Sequence, residues 1–336
     1  DIDYRTQNVT SSYNSYLTDL KSLGLEQKII TSLQSNNGGF EAIDQNKKSW
    51  FLTTAEVSTL ISNNELRGER YVYLPPKPLI AKNLPLNIRT SGKLGGLILR
   101  SGGLDIDVDY QNKTMTMMQN SLTDWVLLRN VDLSGWTLNF KGFKGDIFPG
   151  NNQTQRFNHY GMTGCLNFYQ AIFKATNIHM KDGICEDSVN IVDSQGYINE
   201  IQVDHAHADA IDMDFSDIEI GKVEVSGAGN DCIDVSGGRY LLSEVKISKC
   251  EDKGISVGEK GSFIANNVTL KIASIGVSSK DLSDTVIQNA TFLETTTCYE
   301  VAQKKQEFGG ARLRFGSLSC KGGTLIDEHS SIRWGL

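Results

Sequence analysis

The segments DSVNIV (187–192), DAIDMD (209–214), DCIDVS (231–236), KGISVG (253–258) and IGVSSK (275–280) return every 22 residues, and YEVAQK (299–304) follows after 24. A second series keeps step with the first. Val203, Val225, Ile247, Leu270 and Phe292 each close a short alternating stretch such as IGKVEV (220–225) or IANNVTL (264–270). Each stretch is too short for an amphipathic helix, while its period of two and its β-branched content suit a strand buried on one side. A repeat of this length, made of short strands with Gly and Asn between them, predicts a right-handed parallel β-helix in which every coil hydrogen-bonds to the next. Leucine-rich repeats have a similar period, but their LxxLxLxxN frame is absent.

Toward the N-terminus, VLLRNVDLSGWTLNFKG (126–142) and CLNFYQAIFKATNIHM (165–180) show the same strands at irregular spacing. Between them, residues 143–162 read as a long corner loop or an overhang on the solenoid wall. The beginning of the chain differs in kind. Residues 11–34 and 53–66 carry helical periodicity, with Thr53 or Thr54 placed to cap a helix before Glu56. The expected organisation is therefore an all-β chain with a helical capping region over 1–88 and the β-helix over 89–336. A helical cap would shield the open edge of the first coil.

Bulk properties narrow the partners. The chain has 336 residues and a formal charge of −7, which argues against nucleic acid. No run of about 18 apolar residues exists to span a membrane. The first residue is Asp1 rather than Met, which suggests that a leader or an expression extension was removed; a secreted or periplasmic protein, acting as a monomer, is expected. Six cysteines occur without CxxC spacing, so a zinc or redox motif is not expected. One pair is expected to form a disulfide, most of the cysteines serving as small core or ladder residues.

If Ile211, Ile233, Ile255, Val277 and Val301 point inward, their neighbours point outward. One outward column then reads Asn190, Asp212, Asp234, Ser256, Ser278, Ala302, and the column beside it Val192, Asp214, Ser236, Gly258, Lys280, Lys304. Asp209, Asp231 and Lys253 form a third column at the turn, preceded by His205 and His207. Coils lie roughly 4.8 Å apart, so Asp212 and Asp234 would repel unless a proton, a cation or an amine intervened. Asp at a corner is commonly a cap for backbone amides. Asp in mid-strand is disfavoured, and stacking such residues points to function.

The runs HADAIDMDF (207–215), GNDCIDVSGG (229–238), KCEDKGISVGEKG (249–261), IGVSSKDLSD (275–284) and AQKKQEFGG (302–310) resemble a family of bacterial right-handed β-helix proteins associated with surface polysaccharides. The resemblance covers roughly residues 200–310. His207, Asp209, Asp212, Asp231, Asp234, Asp252, Lys253, Glu259, Lys280 and Asp281 fall on its motif positions. Asn230-Asp231 departs slightly from the second motif. Pectin hydrolases share similar double-Asp elements, but their G-H-G is replaced by Asp252-Lys253-Gly254. Within β-helix proteins the chain looks most like a lyase of a biofilm-matrix exopolysaccharide, with an anionic polysaccharide as partner.

A lyase of this kind removes the C5 proton of a uronate whose carboxylate has been neutralised. Lys253 or Lys280 is expected to neutralise it, or a calcium ion held by Asp209, Asp212, Asp231 and Asp234. His207 is expected as the base, with His205, Asp214, Ser256 and Lys304 as substrate contacts. Two other functions use the same face. A C5-epimerase would share the proton abstraction but return the proton to the opposite face, a hydrolase would use Asp212 and Asp234 as acid and nucleophile or base, and a non-enzymatic binding solenoid would use the charges only as contacts.

Overall fold

Side chains that alternate in and out of a strand, with a return every 22 residues, bury one side by stacking coil on coil. The computed structural model describes residues 30–36, 39–44, 49–53, 87–89, 96–101, 103–143, 158 and 160–335. The chain divides into two compact units, 1–83 with 157–162 and 84–156 with 163–336.

In the first unit, Ile30–Asn36, Gly39–Asp44 and Ser49–Thr53 form a three-stranded antiparallel sheet. Most of the helical periodicity expected over 11–34 and 53–66 lies outside the described residues, as does most of the 143–162 insertion. Residues 30–34 are described, and they are strand rather than helix. Asn36 pairs with Gly39 across Asn37-Gly38, a dipeptide that favours a two-residue hairpin and here outweighs a weak helical period.

The second unit is a parallel β-solenoid of about nine turns. Among the described residues there is no helix. One face stacks Val126–Arg129, Gly164–Tyr169, Asp187–Val192, Asp209–Asp214 and Ile233–Ser236, then the C-terminal ends of Arg239–Gly258, Ser262–Lys280 and Asp284–Ala302. A second face stacks Thr137–Lys141, Ile172–Gly183, Gln195–Ala206 and Asp217–Ala228 on the N-terminal ends of the same three long strands. Val189, Ile211, Ile233, Ile255 and Val277 make one buried ladder, and Val203, Val225, Ile247, Leu270 and Phe292 make another. At the N-terminal edge, Leu97–Arg100 pairs antiparallel with Val126–Arg129 and so covers that edge of the first coil.

One register differs from expectation. Val277 pairs with Tyr299, and Val301 with Ser279, so the 22-residue step continues to the last long strand. Aligning YEVAQK on IGVSSK is therefore two residues late. A slip of two preserves inward and outward sense, which is why Val301 is still buried.

The cysteines differ more. All six are paired, as Cys165–Cys185, Cys232–Cys250 and Cys298–Cys320. Cys165, Cys232 and Cys298 share a buried position with Ser188, Ala210, Gly254 and Gly276 in other coils, just after the turn column. The space admits only small side chains: a Cβ on Gly276 would lie 2.6 Å from the Cys298 carbonyl oxygen. Each bridge joins neighbouring coils, over separations of 20, 18 and 22 residues. Three disulfides point to an oxidising environment, extracellular or periplasmic.

Two corners flank the first face, and both pass through left-handed backbone. Asp182, His205, Gly227, Lys249, Ile272 and Glu294 occupy the corner before it. Asn130, Gln170, Asp193, Phe215, Gly237, Glu259 and Asp281 occupy the corner after it.

Candidate active site on the acidic face

The outward side of the first face carries the stacked acids. Asn167, Asn190, Asp212, Asp234, Ser256, Ser278 and Glu300 stand in register on successive coils. The parallel column reads Tyr169, Val192, Asp214, Ser236, Gly258, Lys280 and Ala302. Glu300 thus replaces Ala302 in the first column, and Ala302 replaces Lys304 in the second. Lys304 lies beyond the strand, where its backbone amide donates to Asp281 Oδ1 at 2.7 Å.

The turn column is largely structural. Asp209 Oδ1 accepts from the Asp231 amide at 2.8 Å and from Asn230 Nδ2 at 2.7 Å. Asp231 Oδ1 accepts in the same way from the Lys253 amide at 3.0 Å, and Lys253 Nζ is ion-paired with Asp231 and Asp252. Each carboxylate therefore caps the following coil. Asp187 heads this column, fully buried, with Oδ2 lacking a hydrogen-bond partner among the described residues.

Crowded burial keeps protons on these acids. Asp212 is pushed well above the usual carboxylate range, by burial first and then by the charges of Asp187, Asp214, Asp234 and Asp209. Asn190 Nδ2 donates to it at 3.0 Å. Burial, with Asp234 and Glu259 nearby, raises Asp214 to about 6. Burial raises Asp231 to about 6 despite Lys253, and Asp187 to about 7 despite a hydrogen bond from Thr163. Asp209 is also raised, chiefly by burial. Such groups can hold or release a proton near neutrality.

At the C-terminal end of this acidic cluster the charge reverses. Lys280 reaches back past Gly258, where a Cβ would lie 4.0 Å from Lys280 Cε, and donates to Ser256 Oγ at 2.8 Å. Lys280 is only 9 % exposed and belongs to no ion pair among the described residues. Ser256 is fully buried beneath it, and Ser278 is buried and donates to Glu300 Oε2 at 2.6 Å. Glu259, at the adjoining corner, pairs with Lys305. Burial would raise that carboxyl, but Lys305, the Ser236 hydroxyl and Lys280 hold it below its ordinary range.

The structure brings together Asp212, Asp214, Asp234, Ser256 and Lys280, with Asp209, Asp231 and Lys253 beside them. It does not bring in the histidines. His205 is 69 % exposed in its side chain and sits at 3.0 Å from Asp204. His207 is exposed on the corner before Asp209, at the opposite end of the strand from Asp214. Nor are the four aspartates expected to hold calcium gathered for it. Among the described residues no three His, Cys, Asp or Glu side chains converge on a metal position, and Asp209 and Asp231 each commit an oxygen to the next coil's backbone. Sequence reasoning missed Glu300, because of the two-residue slip; the second ladder, which steps by 22 from Leu270 to Phe292, was the signal that could have found it.

Concavities occur elsewhere. One of about 350 Å³ lies among Asn139, His179, Lys181 and Gln202 on the second face, and one of about 110 Å³ among Asp284, Arg312, Arg314 and Arg333. Neither is lined by the acidic columns. Comparison with protein-family models, curated proteins and solved structures returns no match for this chain, so what the face does must be argued from its own residues.

Proposed function

We propose that the acidic face cleaves a uronate-containing extracellular polysaccharide by β-elimination, as a secreted or periplasmic monomeric lyase of the kind its motifs resemble. The observation that carries this reading is Lys280: a buried amine that makes no ion pair among the described residues and feels only the more distant charge of Glu259, on the same face as acids that hold protons near neutral pH. A buried cation is costly unless an anion compensates it, and a uronate carboxylate is such an anion.

In this mechanism Lys280 neutralises the uronate carboxylate, which acidifies C5. A base takes the C5 proton, the C4–C5 double bond forms, the C4–O4 bond breaks with its electrons on O4, and O4 receives a proton. Asp214, ionised above about pH 6, is suited to the base. Asp212, held protonated, is suited to the acid. Both stand nearer the Lys280 column than His207 does, and they take the role first expected of that histidine.

A hydrolase is the second reading, favoured by one observation: Asp212 and Asp234 are directly in register on adjacent coils, at the separation of roughly 5 Å that suits a retaining carboxylate pair. Ultraviolet absorbance of an unsaturated uronate product separates the two. Incubation with alginate and polygalacturonate should raise absorbance in step with new ends; new reducing ends without absorbance would replace the lyase by the hydrolase.

A further inference from the structure

Seven coils turn the corner after the acidic face through one left-handed position, occupied by Asn130, Gln170, Asp193, Phe215, Gly237, Glu259 and Asp281. Six of these are glycine or polar. Asn, Asp and Gly tolerate such backbone best, and a bulky aromatic residue there is an outlier. Phe215 has φ of 49°, and its side chain contributes nothing to the core, being 65 % exposed.

The ring has a prepared seat. On the next coil the same position is Gly237, and a Cβ there would lie 2.7 Å from Phe215 Cδ1 and 3.0 Å from Cε1. Glycine at 237 lets the ring lie close against the corner, with its remaining surface open to solvent. Phe215 directly follows Asp214 in the chain, so this exposed ring borders the acidic columns. Strained backbone combined with exposed aromatic surface is unfavourable for folding alone and is a pattern of ligand contacts.

We infer that Phe215, seated on Gly237, is a saccharide subsite: a platform on which the apolar C–H face of a pyranose ring stacks while the neighbouring unit lies over Asp214 and Asp212. The aromatic face carries partial negative charge and accepts polarised C–H groups. It binds the ring irrespective of the uronate carboxylate. The inference rests on the polysaccharide reading above and adds to it a positioning residue that none of the expected site residues includes.

Affinity electrophoresis of the full-length chain in gels containing alginate or polygalacturonate tests it, with variants Phe215→Ala, Phe215→Leu, Phe215→Trp and Phe215→Asn. Phe215→Trp should keep the affinity, and Ala, Leu and Asn should each lose about tenfold, about 1.4 kcal/mol. Asn fits left-handed backbone, so Phe215→Asn should melt at or above the wild-type temperature while binding worse, a split that a purely structural phenylalanine would not give. Retained affinity in Phe215→Asn, full affinity in Phe215→Leu, or parallel loss of stability and binding in Phe215→Asn would each overturn the platform. Should the wild type bind but release no unsaturated product, β-elimination fails while the platform is still decided by the binding ratios. Binding to neither polymer would overturn both.

Discussion

The two faces of the solenoid share one construction and treat charge in opposite ways. On the second face, Glu200, Lys222 and Glu244 follow one another on successive coils. Lys222 pairs with Glu200 at 2.9 Å and with Glu224 at 3.0 Å, Lys246 with Glu244 at 2.8 Å, and Lys181 with Asp204 at 3.1 Å. Acids there ionise more readily than usual: Glu200 is lowered chiefly by its hydrogen bond from Lys222, and Glu244 by that from Lys246. On the first face, Asp stacks on Asp, and burial pushes the same kind of group upward. Alternating charges satisfy a wall. Stacked like charges store an electrostatic cost that the fold does not require, and such a cost is characteristic of sites.

The sharpest break in this comparison should be catalytic. Asp214→Asn and Lys280→Ala are each expected to reduce polymer cleavage by about 10²–10⁴-fold with folding intact, whereas Lys222→Ala on the second face should leave it unchanged. Circular dichroism with product absorbance checks all three. Wild-type turnover in both first-face variants would remove the site from that face.

Stability against pH comes next. Asp187 rises from 3.8 to about 7 in the folded chain, so the folded state keeps a proton that the unfolded state has lost. Its ionisation therefore destabilises the protein progressively between about pH 4 and pH 7, by on the order of 4 kcal/mol when complete. Asp187→Asn should raise the melting temperature at pH 8 and leave it unchanged at pH 3. The lowered Glu200 works the other way, its contribution being lost as pH falls through its folded value. An equal gain for Asp187→Asn at both pH values would mean that packing, not the proton, is responsible.

A smaller effect belongs to the corner between the faces. Closing a loop with a separation of 18 residues, Cys232–Cys250 is worth about 3 kcal/mol in the chain-entropy estimate. Cys232→Ser with Cys250→Ser should lower the urea midpoint correspondingly, read by tryptophan fluorescence. The smallest change is Lys222→Ala, which should barely move that midpoint, since exposed ion pairs contribute little.

The fold was legible where two periods coincided. Strand alternation fixed which of Ile211, Ile233 and Ile255 pointed inward, and the 22-residue return fixed what stood above what. Asp212, Asp214 and Asp234 could be singled out because mid-strand acids contradict strand chemistry. The pairing of Lys280 with Ser256 could not, since it depends on a side chain bending back across Gly258, and no strand rule gives rotamers. The disulfides were hidden because one cysteine of each pair, Cys165, Cys232 or Cys298, shares a column with Gly, Ala and Ser and reads as a small core residue. Their separations of 20, 18 and 22, close to one coil, were the available signal. The strand at 30–36 is hidden in the sequence by a few residues of helical period, and Asn37-Gly38 is the competing hairpin signal.

The bridges also bear on how such a rod would yield to pulling. A stacked coil is held by rows of hydrogen bonds and can peel away one turn at a time, each turn releasing its contour as slack. A covalent staple between neighbouring turns withholds the 20, 18 or 22 residues it encloses, about 60–75 Å of extended chain each. Drawn out by its ends, the solenoid should lengthen in turn-sized increments that skip these stapled intervals, and reduction would restore the missing extension.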